Sequence, residues 1–231
     1  MDVGLGPAEW EAVRLSIRVS FVATVASLPV GLFIAYALAR WDFPGKQVLN
    51  GLVHLPLILP PVVTGYLLLL AFGPQGGGGR VLEALGMPIA FRWTGAALAA
   101  AVMAFPLMVR AIRLSIEAVD PKLEAAAATL GAPRLWVFLT ITLPLILPGL
   151  LAGAILAFAK AMGEFGATIT FVSNIPGQTQ TIPSAIYAFL QVPGGENAAL
   201  RLVVVSIAVA MGALLLSEVL ARRVSARVAQ G

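Results

Sequence analysis

Five stretches of this chain, residues 19–39, 47–73, 93–109, 135–159 and 202–217, contain not one Asp, Glu, Lys or Arg. A hydrocarbon core ~30 Å thick takes about 20 apolar residues per helical crossing, so the first, second and fourth runs reach spanning length outright. The third and fifth reach it when extended toward Arg113 and Ala221, where long side chains carry their charge out to the headgroups. The expectation is an all-α, polytopic integral membrane protein with five transmembrane helices. Composition agrees, since 59% of the 231 residues are hydrophobic and 11% charged, against about 25% charged in soluble domains. Mean hydropathy is +0.94.

The first residues carry Asp2, Glu9 and Glu11 before any base. That is the wrong sign for the start of a cleaved leader, so the first span is expected to be retained. With the N-terminus outside, the inner side collects Arg40, Lys46, Arg110, Arg113, Lys122, Arg134, Arg222, Arg223 and Arg227, nine bases. The outer side holds five, Arg14, Arg18, Arg80, Arg92 and Arg201, while Lys160 lies in or beside a span. This excess predicts an outside N-terminus and a cytoplasmic C-terminus, with Arg14 and Arg18 standing against the rule. Cysteine is absent and histidine occurs once, which excludes disulfides, thiolate chemistry and a His/Cys metal cluster. The net charge of +4 is spread along the chain, so it speaks for topology and not for nucleic-acid binding.

The longest inner loop, 117–138, breaks the apolar pattern with "EAAAATLGAPRLW" from residue 124. Asp120 can cap a helix, Pro121 suits its first position, residues 122–130 are strong helix formers, and Gly131 can take the left-handed conformation that closes it. Ala132-Pro133 then restarts a second helix. Leu123, Ala127 and Leu130 fall on one face of the first. Such a shallow ridge suits close approach by a partner. The competing reading is a helix lying on lipid headgroups, which usually carries large apolar anchors and several bases.

Ala125-Ala126-Ala127, three residues, Gly131, nine residues and then Ile141-x-Leu143-Pro144 resembles the "EAA" loop of permease subunits of ATP-binding-cassette importers. The usual Glu position of that loop falls on Ala125, and Glu124 stands one residue early. Four longer stretches, "HLPLILPPVVTGYLLL" (54–69), "FPLMVRAIRLSIEAVD" (105–120), "TLGAPRLWVFLTITLPLILPG" (129–149) and "GEFGATITFVSNIPGQTQTIPSAIY" (163–187), look like the permease family of molybdate importers. Sulfate and thiosulfate permeases share a similar Gly-Glu-Phe-Gly stretch. The resemblance implies a type I importer permease fold in the inner cell membrane, with residues 1–231 forming one transmembrane domain. It also implies a homodimer of this subunit, two cytoplasmic ATPase subunits and an extracytoplasmic molybdate-binding protein. On the matching positions it implies ATPase coupling through Glu124, Ala125, Ala126, Ala127, Leu130, Gly131, Leu143 and Pro144.

The chain lacks a phosphate loop of its own. "FPGKQ" holds Gly45-Lys46, but Arg40 stands at the first Gly position and Gln47 replaces the Ser/Thr. ATP is therefore expected on the partner ATPase, with no cofactor, metal or catalytic residue on this chain. "GGGG" at 76–79, ahead of Arg80 and a short outer helix, reads as a flexible external turn.

Residues 165–195 carry no formal charge yet do not make one clean span, because the polar "SNIPGQTQTIPS" interrupts them. Irregular backbone at membrane depth is tolerated only where protein buries it or a wet cavity meets it. Segment 163–197 is thus the candidate outer mouth, where Thr168, Thr170, Ser173 and Asn174 offer donors to a tetrahedral dianion. Thr64, Glu164, Phe165 and Gly166 complete the candidate pathway and gate. An outer loop docking the binding protein is the other reading, and the two are compatible. Lys160 and Glu164, four apart, read as a neutralising pair; alternatively Glu164 fixes a bend at Gly163 and Gly166. His54 reads as a packed or interfacial residue and not as a proton carrier. Pro29, Pro56, Pro60, Pro61, Pro106, Pro144 and Pro148 lie within spans or at their ends, where each permits a kink.

The functional expectation is a permease subunit that passes molybdate or tungstate inward by alternating access, without covalent chemistry. A sulfate/thiosulfate permease is the near alternative. A stand-alone carrier would need intramembrane charges or repeated broken helices for its own energy coupling. A membrane enzyme would need a cluster of acid, base and nucleophile that is missing here.

Overall fold

The computed structural model describes residues 4–228, which fold into helices and turns with no strand among them. Helix α1 (Pro7–Arg40) has 34 residues, or ~51 Å at 1.5 Å per residue, and overreaches the bilayer core. Pro7 occupies its first position, where no N–H is needed, and Glu9 turns back to accept the Gly6 N–H.

The run 47–73, expected as one span, is broken. The chain bends by 116° between helices α2 (Lys46–Ile58) and α3 (Pro61–Phe72). The cause is Pro60-Pro61: each proline pushes the residue before it out of the helical region, and Leu59 and Pro60 stand at ψ 143° and 134°. Helix α4 (Gly77–Ala84) brings a second correction, because three of the four glycines at 76–79 form its first turn and not a flexible loop. A Cβ on Gly76 would strike the Leu70 and Ala71 carbonyls, and one on Gly79 the Gly73 carbonyl. These glycines let α4 fold straight back onto the end of α3.

Helix α5 (Trp93–Glu117) is the central post. Of the long apolar helices it is the most deeply buried within the chain, and the last helix is the least. Its alanines, Ala96, Ala97, Ala99, Ala100 and Ala104, are all buried, and small residues of this kind allow close helix packing without a hydrophobic drive from lipid. Helices α6 (Pro121–Thr129) and α7 (Arg134–Val137) form the 117–138 loop, expected on the inner side. A single π turn (Phe138–Thr142) leads into α8 (Leu143–Met162), and there the Leu143 N–H reaches back five residues to the Phe138 carbonyl. Pro144, which has no N–H to donate, sits at the point where the regular ladder would resume. Arg134–Met162 together spans 29 residues, enough for a crossing.

Helices α9 (Gly166–Val172) and α10 (Ile182–Leu190) are each too short to cross, as expected, and α11 (Glu196–Val228) closes the chain. Ala12, Val13, Ile182, Ala185 and Leu202 form a second core that joins α1, α10 and α11. It is stapled by Glu9, which accepts two hydrogen bonds from Arg201 at 2.8 and 3.1 Å. The Ile182 N–H donates to Ser16 Oγ at 2.7 Å. Segment 163–197 is thereby anchored to the N-terminal end of α1. Large apolar side chains such as Phe21, Phe33, Leu52 and Leu215 stand exposed, as they do where the solvent is lipid. Asp2 and the side chains of Arg222, Arg223 and Arg227, used above for orientation, lie outside the described residues.

Candidate functional site

The 117–138 loop is built from local signals that act as their chemistry dictates. Asp120 accepts the Lys122 N–H at 2.9 Å, capping α6, with Pro121 in the first position. The helix ends at Gly131, φ +85°. The Ala132 N–H bonds the Ala127 carbonyl at 3.3 Å and the Gly131 N–H that of Ala128 at 3.0 Å, a Schellman closure. Ala125 and Ala126 are exposed and Ala127 is half-buried. Leu123 is 47% exposed and Leu130 89%, with Trp136 beyond them at 60%. The ridge foreseen on α6 thus faces outward, and a cluster of bulky apolar groups continues it across α7.

Glu124 does not face outward with them. Its Oε1 accepts Thr142 Oγ1 at 2.8 Å and Arg40 Nη2 at 3.3 Å, and the same Nη2 donates to the Val119 carbonyl at 2.9 Å. Thr142 is completely buried, and it lies in the π turn immediately before Leu143 and Pro144. Leu143 packs against the main core. The eight residues foreseen for coupling therefore divide: Ala125, Ala126, Ala127 and Leu130 offer a surface, Gly131 shapes it, and Glu124, Leu143 and Pro144 fix it to the span behind. Glu124 acts through this buried tether to α1 and not through the helix dipole alone. A single sequence holds no signal for that partnership, since Arg40 is 84 residues away.

At the other end, both readings of Glu164 are realised. Its carboxylate, 2% exposed, pairs with Lys160 at 3.2 Å, while its Oε1 accepts the Ala167 N–H at 3.0 Å. One side chain neutralises the lysine and caps α9 across the bend. Helix α9 then lies against α3 almost backbone to backbone. A Cβ on Gly65 would come within 2.5 Å of the Ala167 carbonyl oxygen, and one on Gly166 within 2.7 Å of the Pro61 ring. Thr64, next to this seam, is buried with its hydroxyl unpartnered.

Thr168 is buried, and Thr170 donates to the Gly166 carbonyl at 2.8 Å. Phe165 stacks at a tilt on Tyr187, 5.3 Å between centroids. Ser173 is exposed at φ +67°, a sparsely populated conformation that stores of order 1–3 kcal/mol. Thr179 holds the turn beyond it, accepting the Ile175 N–H at 2.9 Å and donating to the Ser173 carbonyl at 3.2 Å. Asn174 reaches the Ser184 carbonyl at 3.5 Å, and its own oxygen is buried without a donor. The structure thus gathers Gly166 and Thr170 at the α3–α9 seam, with Thr64 and Glu164 beside it, leaves Thr168 buried elsewhere on α9, and sets Ser173 and Asn174 at the far end of that helix. Ser173 is the exposed donor among the four foreseen for a dianion.

Outside these two sites, Arg18 stacks on Trp93, 3.7 Å from the ring centroid. The two flanking positions in sequence give no hint of that contact. No group of three or more His, Asp or Glu placed to hold a metal occurs among the described residues.

Residues 27–229 match the family described as binding-protein-dependent transport system inner membrane component. The chain is 62% identical over 215 residues to the molybdenum transport system permease protein ModB of Escherichia coli K12, covering 93% of this chain and 94% of that one. It is 54% identical to the protein of the same name from Haemophilus influenzae, with 96% and 98% covered. Among solved structures, a bacterial ABC transporter that imports the acidic polysaccharide alginate aligns with a TM-score of 0.74 over 94% of this chain and 80% of that chain. At 18% identity that likeness is one of fold.

Proposed function

This chain belongs to the family of inner-membrane components of binding-protein-dependent transport systems, and from that premise we propose that it is the membrane-spanning subunit of a molybdate importer. The observation that carries the reading is identity of 62% along nearly the whole chain with a molybdenum permease. The protein is a multi-pass inner-membrane permease, a transport subunit without covalent chemistry. It works as a homodimer, with two ATPase subunits on the inner loops and an anion-binding protein at the outer mouth. ATP is hydrolysed on those ATPases, and this chain binds no cofactor. The outward ridge of α6 and α7, fixed from behind by Glu124, supports the inner contact.

The geometry supports alternating access between two rigid ends. Each end is a short helix pinned by a carboxylate, the half-buried Glu124 at one and the buried Glu164 at the other, so movement of either is passed to the span it is fastened to. In the orientation proposed from the bases, α6 is cytoplasmic and the 163–197 segment faces outward. Single cysteines at Ser173 and Ala128, both exposed in a chain with none of its own, are then expected to react with an impermeant reagent from opposite sides. Labelling of both from one side would overturn that orientation.

Selectivity is placed on the external binding protein, because the mouth offers uncharged donors that are largely engaged within the chain. Thr168→Val and Asn174→Ala are accordingly expected to slow uptake severalfold while leaving molybdate preferred over sulfate. Uptake by vesicles holding the full assembly, with the two anions in competition, tests the proposed function and this corollary together. No molybdate uptake by the unsubstituted assembly would sink the function; a reversed preference in either variant would move selectivity into this subunit.

A further inference from the structure

Where α2 crosses α5, a cleft of about 360 Å³ is lined by Asn50, His54, Arg110, Arg113, Leu114 and Glu117. Arg113 is held in place, donating through Nε to Glu117 at 2.7 Å and through Nη1 to Asn50 Oδ1 at 3.1 Å. His54 Nδ1 lies 2.8 Å from the Asn50 carbonyl, which can only accept, so Nδ1 carries a proton and Nε2 is the unused nitrogen. Arg110 has no hydrogen bond or ion pair among the described residues. Two guanidinia and an imidazole thus face one acid, Glu117, and that acid is already engaged by Arg113. The cleft is built to take an anion.

A second observation says which anion. Further along the same two helices an apolar groove of about 470 Å³ opens between α1, α2 and α5, with Val30, Leu52, Val53, Leu98, Val102 and Phe105 among its walls. Val53 is adjacent to His54, and Phe105 lies eight residues before Arg113 on α5, ~12 Å along the axis. Val30 and Leu52 at its edge are 53% and 61% exposed. A free inorganic oxyanion would use the cleft and leave the groove empty. A phospholipid has the chemistry for both, and basic pockets between membrane helices are where acidic headgroups bind.

We propose that this cleft and groove hold one phospholipid with an anionic headgroup, its phosphate on Arg110, Arg113 and His54 and an acyl chain along the groove. The inference rests on the membrane-spanning reading of the chain. The orientation proposed above decides only that the cytoplasmic leaflet supplies the lipid.

The test is lipid retention, read by native mass spectrometry on the chain purified with its membrane lipids, then on delipidated protein given back phosphatidylglycerol or phosphatidylcholine. The unsubstituted chain is expected to retain phosphatidylglycerol or cardiolipin in preference to phosphatidylcholine. Arg110→Gln, at an exposed position, is expected to weaken that retention about fivefold. Arg110→Lys should restore most of it, and Lys46→Gln, at the same end of α2 but paired with Asp42 outside the cleft, should leave it unchanged. Three outcomes would overturn the proposal: retention that ignores Arg110, equal retention of phosphatidylcholine, or Arg110-dependent binding of inorganic phosphate or molybdate in place of lipid. Uptake by the unsubstituted assembly reports the permease reading separately, so a failed lipid test leaves that reading standing.

Discussion

Gly65→Leu is expected to abolish molybdate uptake, and Gly65→Ala to lower it at least tenfold. The space a side chain needs there is already occupied by backbone. A Cβ at Gly65 would stand 2.5 Å from the Ala167 carbonyl oxygen, 2.8 Å from the Ala167 Cα and 2.9 Å from the Thr170 Cβ. Inserting a methyl against movable side chains costs about 1–3 kcal/mol. Here α9 itself must retreat from α3, and α9 is fastened at its start by Glu164 and held on its far side by α5. The retreat therefore opens the α3–α9 seam, where the candidate pathway residues gather. Gly166→Ala, pressed against the Pro61 ring at 2.7 Å, meets a side-chain carbon and should lower uptake less than Gly65→Ala does. Uptake by vesicles and a melting curve for each purified variant provide the check. Unimpaired transport by Gly65→Leu would show that the seam is not a working part of the pathway.

The parts of this fold legible in the sequence are those whose cause is local. Asp120, Pro121 and Gly131 act within one or two turns of themselves, so the start and end of α6 follow from residue type. Four of the five expected crossings follow from charge-free length in the same way. What was not legible depends on contacts far apart in sequence. Arg40 and Glu124 are separated by 84 residues and Glu9 and Arg201 by 192, and composition alone distinguishes neither pair from a solvated charge. Pro60-Pro61 is a different case, because its signal was present: two consecutive prolines force two consecutive extended residues, which a straight helix cannot contain. Counting charges hid the break. The glycines at 76–79 carry a related ambiguity, since freedom of the backbone and close approach to another backbone both select glycine, and only the fold separates them.

The Arg40–Glu124–Thr142 tether changes what substitutions in the inner loop are expected to do. Ala127→Trp should have the larger effect on coupling, with uptake falling to background while the protein remains folded. Ala127 lies on the ridge between Leu123 and Leu130, so the added indole projects into the contact proposed for the ATPase. Glu124→Ala acts from the other side. A helix-dipole role alone would predict a loss of only about 0.3–1 kcal/mol. Removal of the carboxylate instead leaves the buried Thr142 hydroxyl without its acceptor and Arg40 without its counter-charge, at a cost of about 1–3 kcal/mol for each unsatisfied buried group. Helix α6 should then lose its fixed angle to the span, so that the ATPase still binds but drives uptake several times more slowly. Glu124→Gln keeps an oxygen for Thr142 and Arg40 but not the counter-charge, and should fall between Glu124→Ala and the unsubstituted chain. Pull-down of the ATPase by each variant, with uptake and hydrolysis rates in reconstituted vesicles, separates lost docking from lost transmission. Full binding and full uptake by Ala127→Trp would remove α6 as the coupling element. Unchanged uptake by Glu124→Ala would leave α6 as a docking surface whose angle to the span is set by the Gly131 turn and the π turn before Pro144, without help from Arg40.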